Sequence, residues 1–299
     1  MRFGLKKPAF VVFVSLFLSV FVLAAAALAG HGQTRPMKQG ILLVAFGTSE
    51  KSAQVSFANI EKKVRAAYPK VPVRWAFTSH IIRKKLAKQG QILDSVPTAL
   101  SKMMDAGITH VGVQSLHSIP GEEYEELKGS VRAFKDMPNG FSRILLGRPL
   151  MSLDQDIQKA VAVTLKVIPK AREKSEAVVL MGHGTHHAGN VYYPALQYYL
   201  AKKDPNIFVG TVEGSPGLDD VVAQLKAGKI KKAYLMPLMS VAGDHAKNDM
   251  AGDEPDSWKS MLEAKGISTV VVLKGTAEYD VFADLWVDHL RGVMGHFRE

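Results

Sequence analysis

The chain has 299 residues, 47% of them hydrophobic, no cysteine and a formal charge of +10. This length suits one large or two small domains, and the missing thiols exclude disulfides and leave nitrogen and oxygen as the only ligands for a metal. The basic balance favours acidic partners, but no long basic run or basic–aromatic stripe accompanies it, so nucleic acid is not an expected partner.

Arg2, Lys6 and Lys7 precede an almost wholly apolar stretch over 9–29 that ends in Ala27-Leu28-Ala29 before Gly30. This is the layout of a secretory signal with a small-residue cleavage site. The expectation is a leader over residues 1–29 and a periplasmic mature protein, exported by the general route because no twin-arginine pair is present. The leader carries three of the positive charges and leaves +7. No later segment is apolar for long enough to span a bilayer.

Residues 31–39 form a polar lead-in. An apolar run at 41–46 then reads as a buried strand, closed by the turn Gly47-Thr48-Ser49. A helical pattern at 52–67 leads to a second strand at 73–77. Helices near 80–88 and 95–106 precede a third strand at 110–116. A helix at 121–135, a fourth strand at 144–146 and a helix at 154–167 complete the series. The order then repeats, with strands at 177–181, 207–212, 232–238 and 268–273 and helices at 190–202, 217–226, 256–264 and 279–296. Strands alternating with helices imply right-handed crossovers and parallel sheets.

The halves resemble each other. ILLVAFGT at 41–48 matches VVLMGHGT at 178–185 in pattern, and the run from Gly112 to Leu116 followed by Gly121 matches that from Tyr234 to Leu238 followed by Gly243. The expected fold class is therefore α/β, with two similar Rossmann-like lobes, each a parallel β-sheet flanked by helices, over residues 36–170 and 171–299. On this alignment His183 stands opposite Phe46, Glu213 falls near Ser79, and His245 stands opposite Glu123.

Three polar side chains follow strands of the second half: His183 after 177–181, Glu213 after 207–212 and His245 after 232–238. The carboxyl ends of neighbouring parallel strands share one crevice. Two imidazoles and a carboxylate meeting there would be the ligand set of an open catalytic site for a divalent transition metal. His80 and His117 follow first-half strands and are expected to touch a ligand in that crevice. Ser49, with Gly47 and Thr48, offers backbone N–H groups to an anion.

Other residues carry two readings. His186 and His187 are an outer metal relay or surface histidines. Asp244 orients an imidazole or caps a helix. Arg83, Lys84 and Lys85 pair with ligand carboxylates or form a solvated face. Tyr192, Tyr193, Tyr198 and Tyr199 pack in the core or stack on a ring. Glu122, Glu123, Glu125 and Glu126 read as a solvated helix start favoured by the helix dipole.

Several longer stretches, among them FTSHIIRKKL at 77–86, QSLHSIPGEEYEEL at 114–127, LMGHGTHHAGNVYYPALQ at 180–197 and YLMPLMSVAGDHAKNDMAGDEPDSWK at 234–259, carry a resemblance. The chain resembles the class II chelatases, specifically the anaerobic-pathway sirohydrochlorin cobaltochelatases, over the whole mature length. The resemblance implies a chelatase-like two-lobed fold and insertion of Co²⁺, with Fe²⁺ or Ni²⁺ as alternatives, into the polycarboxylate tetrapyrrole sirohydrochlorin. It places the metal on His183, Glu213 and His245, the positions the strand ends give. His183 and His245 are then candidate general bases for the pyrrole protons. The alternative is an exported carrier of haem, another metalloporphyrin or free metal, with a surface histidine as axial ligand. A zinc hydrolase is opposed by the lack of an H-E-x-x-H helix. A homo-oligomer is left open.

Overall fold

The first strand shows how the sheets are built. In β1 (Gln39–Ala45) every residue after the first is buried, with Ile41, Leu43 and Ala45 in one apolar layer and Leu42 and Val44 in another. A strand buried on both faces belongs to a parallel sheet covered by helices on each side. In this computed structural model, which describes residues 35–297, both sheets have that form; the leader expected over 1–29 lies outside the described residues.

β1 is joined in the first sheet by β2 (Val73–Phe77), β3 (His110–Ser115) and β4 (Arg143–Gly147), in the order β2-β1-β3-β4. The second sheet contains β5 (Ala177–Gly182), β6 (Ile207–Thr211), β7 (Lys232–Pro237) and β8 (Ser268–Val271), in the order β6-β5-β7-β8. All pairings are parallel, and the repeated order matches the repeat expected from the sequence. In each sheet the chain leaves its first and third strands in opposite directions. The crevices for ligands therefore open beyond β1 and β3, and beyond β5 and β7.

The helices are α1 (Gln54–Ala67), α2 (His80–Ala87), α3 (Val96–Asp105), α4 (Glu122–Lys135), α5 (Asp154–Val167), α6 (Tyr192–Ala201), α7 (Leu218–Ala227), α8 (Trp258–Glu263) and α9 (Asp280–Gly295). Serine hydroxyls start three of them: Ser79, Ser95 and Ser257 accept the N–H of Ile82, Thr98 and Ser260. Each satisfies a donor that the helix itself leaves free. Among the described residues no helix is long and apolar enough to cross a membrane.

One apolar layer is shared by the sheets, running from Ile41 and Leu43 of β1 to Val178 and Leu180 of β5. α9 completes it with Phe282, Trp286 and Leu290. This last helix comes from the second half of the sequence but packs on β3, β4, α1 and α5 of the first. Gly112 of β3 makes room for it, since a Cβ there would lie 2.5 Å from the Met294 sulfur. Asp156, with no exposed side-chain surface, fastens the junction by accepting from Arg148 Nε at 3.1 Å and meeting His289 Nε2 of α9 at 3.2 Å.

Candidate metal centre

The three strand-end residues do meet. One ligand atom from each of His183, Glu213 and His245 lies within 4.8 Å of the others. His183 Nδ1 is 3.7 Å from a Glu213 carboxylate oxygen, and the two imidazoles stand edge to face with centroids 4.7 Å apart. Ligand bonds of about 2.1 Å allow no more than about 4.2 Å between two ligand atoms, so an ion would draw these side chains together by about half an ångström.

Backbone contacts fix this meeting. Past β5 and β6 the strands continue to pair, with Val212 N–H donating to the Gly182 carbonyl and Glu213 N–H to that of His183 at 2.8 Å. Gly184 lets the chain turn between them. Its φ is +81°, and a Cβ would come within 2.6 Å of the Gly214 nitrogen. Asn190 clamps the two loops, accepting from Thr185 N–H and donating to the Ser215 carbonyl. Beneath them Tyr193 is buried, accepts from Gly184 N–H, and has its hydroxyl pushed up to about 12 by that burial.

Each imidazole is oriented by its Nδ1. That of His183 donates to the Gly184 carbonyl at 3.0 Å. That of His245 makes a short contact with the Asp249 carboxylate one turn along. A proton on Nδ1 leaves the Nε2 lone pair for a metal, and a carboxylate behind the ring raises its basicity. His245 stands at the start of a single π-helical turn, Ala246–Met250, a geometry that recurs at functional sites. From the same turn Lys247 reaches across to pair with Glu50, beyond β1.

His183 and His245 border a cleft of about 350 Å³ between the two sets of strand-end loops. Its other walls include Phe46, Ile81, Ile82, Ile119, Met239 and Val241, and its rim includes Lys85, Glu123 and Asp244. Phe46 lies across from His183, ring centroids 6.2 Å apart, so the residues that end β1 and β5 in the repeat face each other.

The expected ligand contacts divide. His117 and Ser49 line the cleft, and Gly47 and Thr48 lie beside Ser49. His117 has Nδ1 at 2.8 Å from Ser115 Oγ and Nε2 at 3.4 Å from Thr78 Oγ1, and burial pushes its pKa down to about 4. It is a neutral ring held on both sides. His80 is not in the cleft. As the first residue of α2 it is exposed and faces a shallow groove with Arg83 and Lys84, because the opposite side of α2 presents Ile81, Ile82 and Lys85 to the cleft. Of the charge run 83–85, only Lys85 borders the site.

Asp244 does not touch an imidazole; it accepts from Asn248 Nδ2, and Asp249 holds His245 instead. The signal for Asp249 was its spacing, four residues after a histidine on one face of a helical turn. Glu123 sits on the cleft rim rather than on a solvated helix start alone. Of the tyrosines, only Tyr193 reaches the cleft; Tyr192 donates to the Ser152 carbonyl, Tyr199 to Asp154, and Tyr198 is exposed beneath Lys202.

The sequence matches the cobalt chelatase (CbiK) family over residues 39–295. It is 46% identical over 259 residues to the sirohydrochlorin cobaltochelatase CbiKC of Nitratidesulfovibrio vulgaris, covering 86% of this chain and 92% of the relative. It is 36% identical over 256 residues to the sirohydrochlorin cobaltochelatase of Salmonella typhimurium, covering 85% and 96%. In fold it is similar to SirB from Bacillus subtilis with Fe³⁺, at a TM-score of 0.58 and 18% identity, covering 88% of this chain and 98% of that one. Matched over residues 39–295 and 46% identical to a relative covered over 92% of its length, the chain belongs to the cobalt chelatase family.

Proposed function

We propose that this protein inserts Co²⁺ into sirohydrochlorin at the cleft between its two sheets. The observation that carries the reading is the convergence of His183, Glu213 and His245 at one side of an apolar cleft whose volume is that of a cofactor site. Cobaltochelatase relatives at 46% and 36% identity support it. Two neutral imidazoles and one carboxylate leave a bound dication with a net charge of +1, which the ring can take over as it loses its protons.

The reaction exchanges two pyrrole N–H protons for one Co²⁺. As the ion moves into the ring, His183 and His245 release it, and their freed Nε2 lone pairs can take up the two pyrrole protons. Asp249 lies behind the His245 ring and fixes the direction in which it faces the pyrroles. Glu123 offers a second carboxylate on the rim of the cleft. Phe46, Ile119 and Val241 supply apolar faces for the macrocycle. The haem-carrier alternative is not favoured, because both curated relatives are sirohydrochlorin cobaltochelatases.

The basic and then apolar leader at residues 1–29 supports a periplasmic site of action. Cell fractionation with N-terminal sequencing tests that point; a cytoplasmic protein beginning at Met1 would refute it. The reaction is tested by loss of the free-base spectrum of sirohydrochlorin on adding Co²⁺, Fe²⁺ or Ni²⁺ to the purified protein. Insertion no faster than without protein, for all three metals, would overturn it.

A further inference from the structure

Two mouths open onto the metal ligands, and each is bordered by different ones. His183 and His245 border the apolar cleft. Glu213 borders a separate outer groove, with Thr185, His186, Asn190 and Ser215. Its side chain is 53% exposed, although its carboxylate is 3.7 Å from the His183 ring. Thr185 borders both spaces. The ligand set thus forms a partition between cleft and groove.

The groove also holds an imidazole with nothing else to do. His187 Nδ1 accepts from Gly189 N–H and starts the short helical turn Ala188–Val191, so that ring is structural. His186 is exposed, and its ring makes no hydrogen bond among the described residues. A carboxylate with a neutral imidazole suits a borderline dication such as Co²⁺. On a chain of net positive charge, Glu213 also supplies local attraction for a cation. A flat macrocycle filling the cleft covers the His183 and His245 side and closes that mouth to a hydrated ion.

We infer that the outer groove is a loading site for the divalent metal, with His186 and Glu213 as transient ligands, and that the ion passes from it to His183 and His245 while the tetrapyrrole occupies the cleft. The second clause rests on the chelatase reading; the first does not. A waypoint lowers a barrier without altering the end states, so it speeds arrival and departure by one factor.

The test is stopped-flow mixing of Co²⁺ with the full-length protein, followed by the visible absorption of bound Co²⁺, for the wild type, His186→Ala and His183→Ala. His186→Ala is expected to slow association and dissociation alike, by about tenfold, with Kd unchanged within about twofold. Unchanged rates would overturn the loading site. A loss of affinity as large as that of His183→Ala would also overturn it, by making His186 a permanent ligand. In the second arm, insertion is started by adding Co²⁺ to protein saturated with sirohydrochlorin. His186→Ala is expected to lower kcat/KM for Co²⁺ while keeping kcat, and excess sirohydrochlorin is expected not to compete with Co²⁺. Competitive inhibition by the macrocycle would place loading in the cleft. Because the binding rates are read without macrocycle, their failure overturns the loading site, whereas absence of insertion overturns the chelatase reading.

Discussion

In the proposed reaction, His245 is only as good a ligand as Asp249 makes it. Its ring is fixed by one carboxylate, so Asp249→Asn removes the acceptor that orients its Nδ1 while changing shape little. The expected loss in Co²⁺ affinity or insertion rate is about 10- to 100-fold, as for other groups that orient metal-bound histidines. His183→Ala and His245→Ala each delete a ligand and should nearly abolish insertion, with far-ultraviolet circular dichroism unchanged. Insertion in Asp249→Asn equal to wild type would leave the Asp249 contact without a role. His117 makes a different prediction, one of stability. Burial holds its pKa near 4, against about 6.5 in the unfolded chain, so between those values only the unfolded chain takes up the proton. Stability from this residue is therefore present above about pH 6.5 and lost as pH falls toward 4, by at most about 3 kcal/mol. His117→Gln should flatten that part of a plot of Tm against pH; an unchanged slope would show that the ring is not held neutral.

At the scale of elements, α2 and the loop after β5 set what the cleft accepts. α2 turns Ile81 and Lys85 toward the cleft, and among the described residues Lys85 is the one lysine or arginine that borders it. Its pairing with a peripheral carboxylate of sirohydrochlorin would be solvent-exposed and weak. Lys85→Gln should raise KM for the macrocycle by about two- to fivefold at low salt, with Lys85→Arg near wild type and the difference vanishing at high salt. A kcat effect without a KM effect would count against carboxylate pairing. Gly184→Ala should both destabilise the protein and detach Glu213 from His183, because a side chain there drives the two loops apart; differential scanning calorimetry and Co²⁺ titration read the two effects. These elements also show what was legible in the sequence. Runs such as AVVLM announce buried strands, and a side chain that directly follows one is placed by the strand itself, so the meeting of His183, Glu213 and His245 was readable. His80 was not, because its direction depends on how α2 is rotated rather than on its position after β2. Of the two readings of Asp244, orienting an imidazole fails because a helical turn brings the fourth residue, Asp249, back beside His245, not the neighbour.

The whole molecule is held by what crosses between its halves. Trp286 of α9 is 1% exposed, packs in the layer shared by the sheets and donates to the His117 carbonyl at 3.4 Å. Trp286→Ala should cost about 3–5 kcal/mol, measured by urea unfolding; a much smaller loss would mean that α9 does not complete the shared core. Asp156 adds an acid-sensitive tie. Burial alone would raise its carboxyl, but Arg148, the Leu153 N–H and His289 outweigh burial and hold it below the usual carboxylate range. Its contribution is present above the unfolded carboxylate pKa and is lost as pH falls through the lower folded value. A helix at 279–296 was legible in the sequence, but not what its buried side covers, since an amphipathic pattern names a face and not a partner. The position of α9 also bears on the order in which the protein is made. Translation adds about 5–20 residues per second, so after β4 has emerged the first sheet waits roughly seven to thirty seconds for the helix that covers it. During that interval, and permanently in any chain released early by a stalled ribosome, one apolar face stays bare.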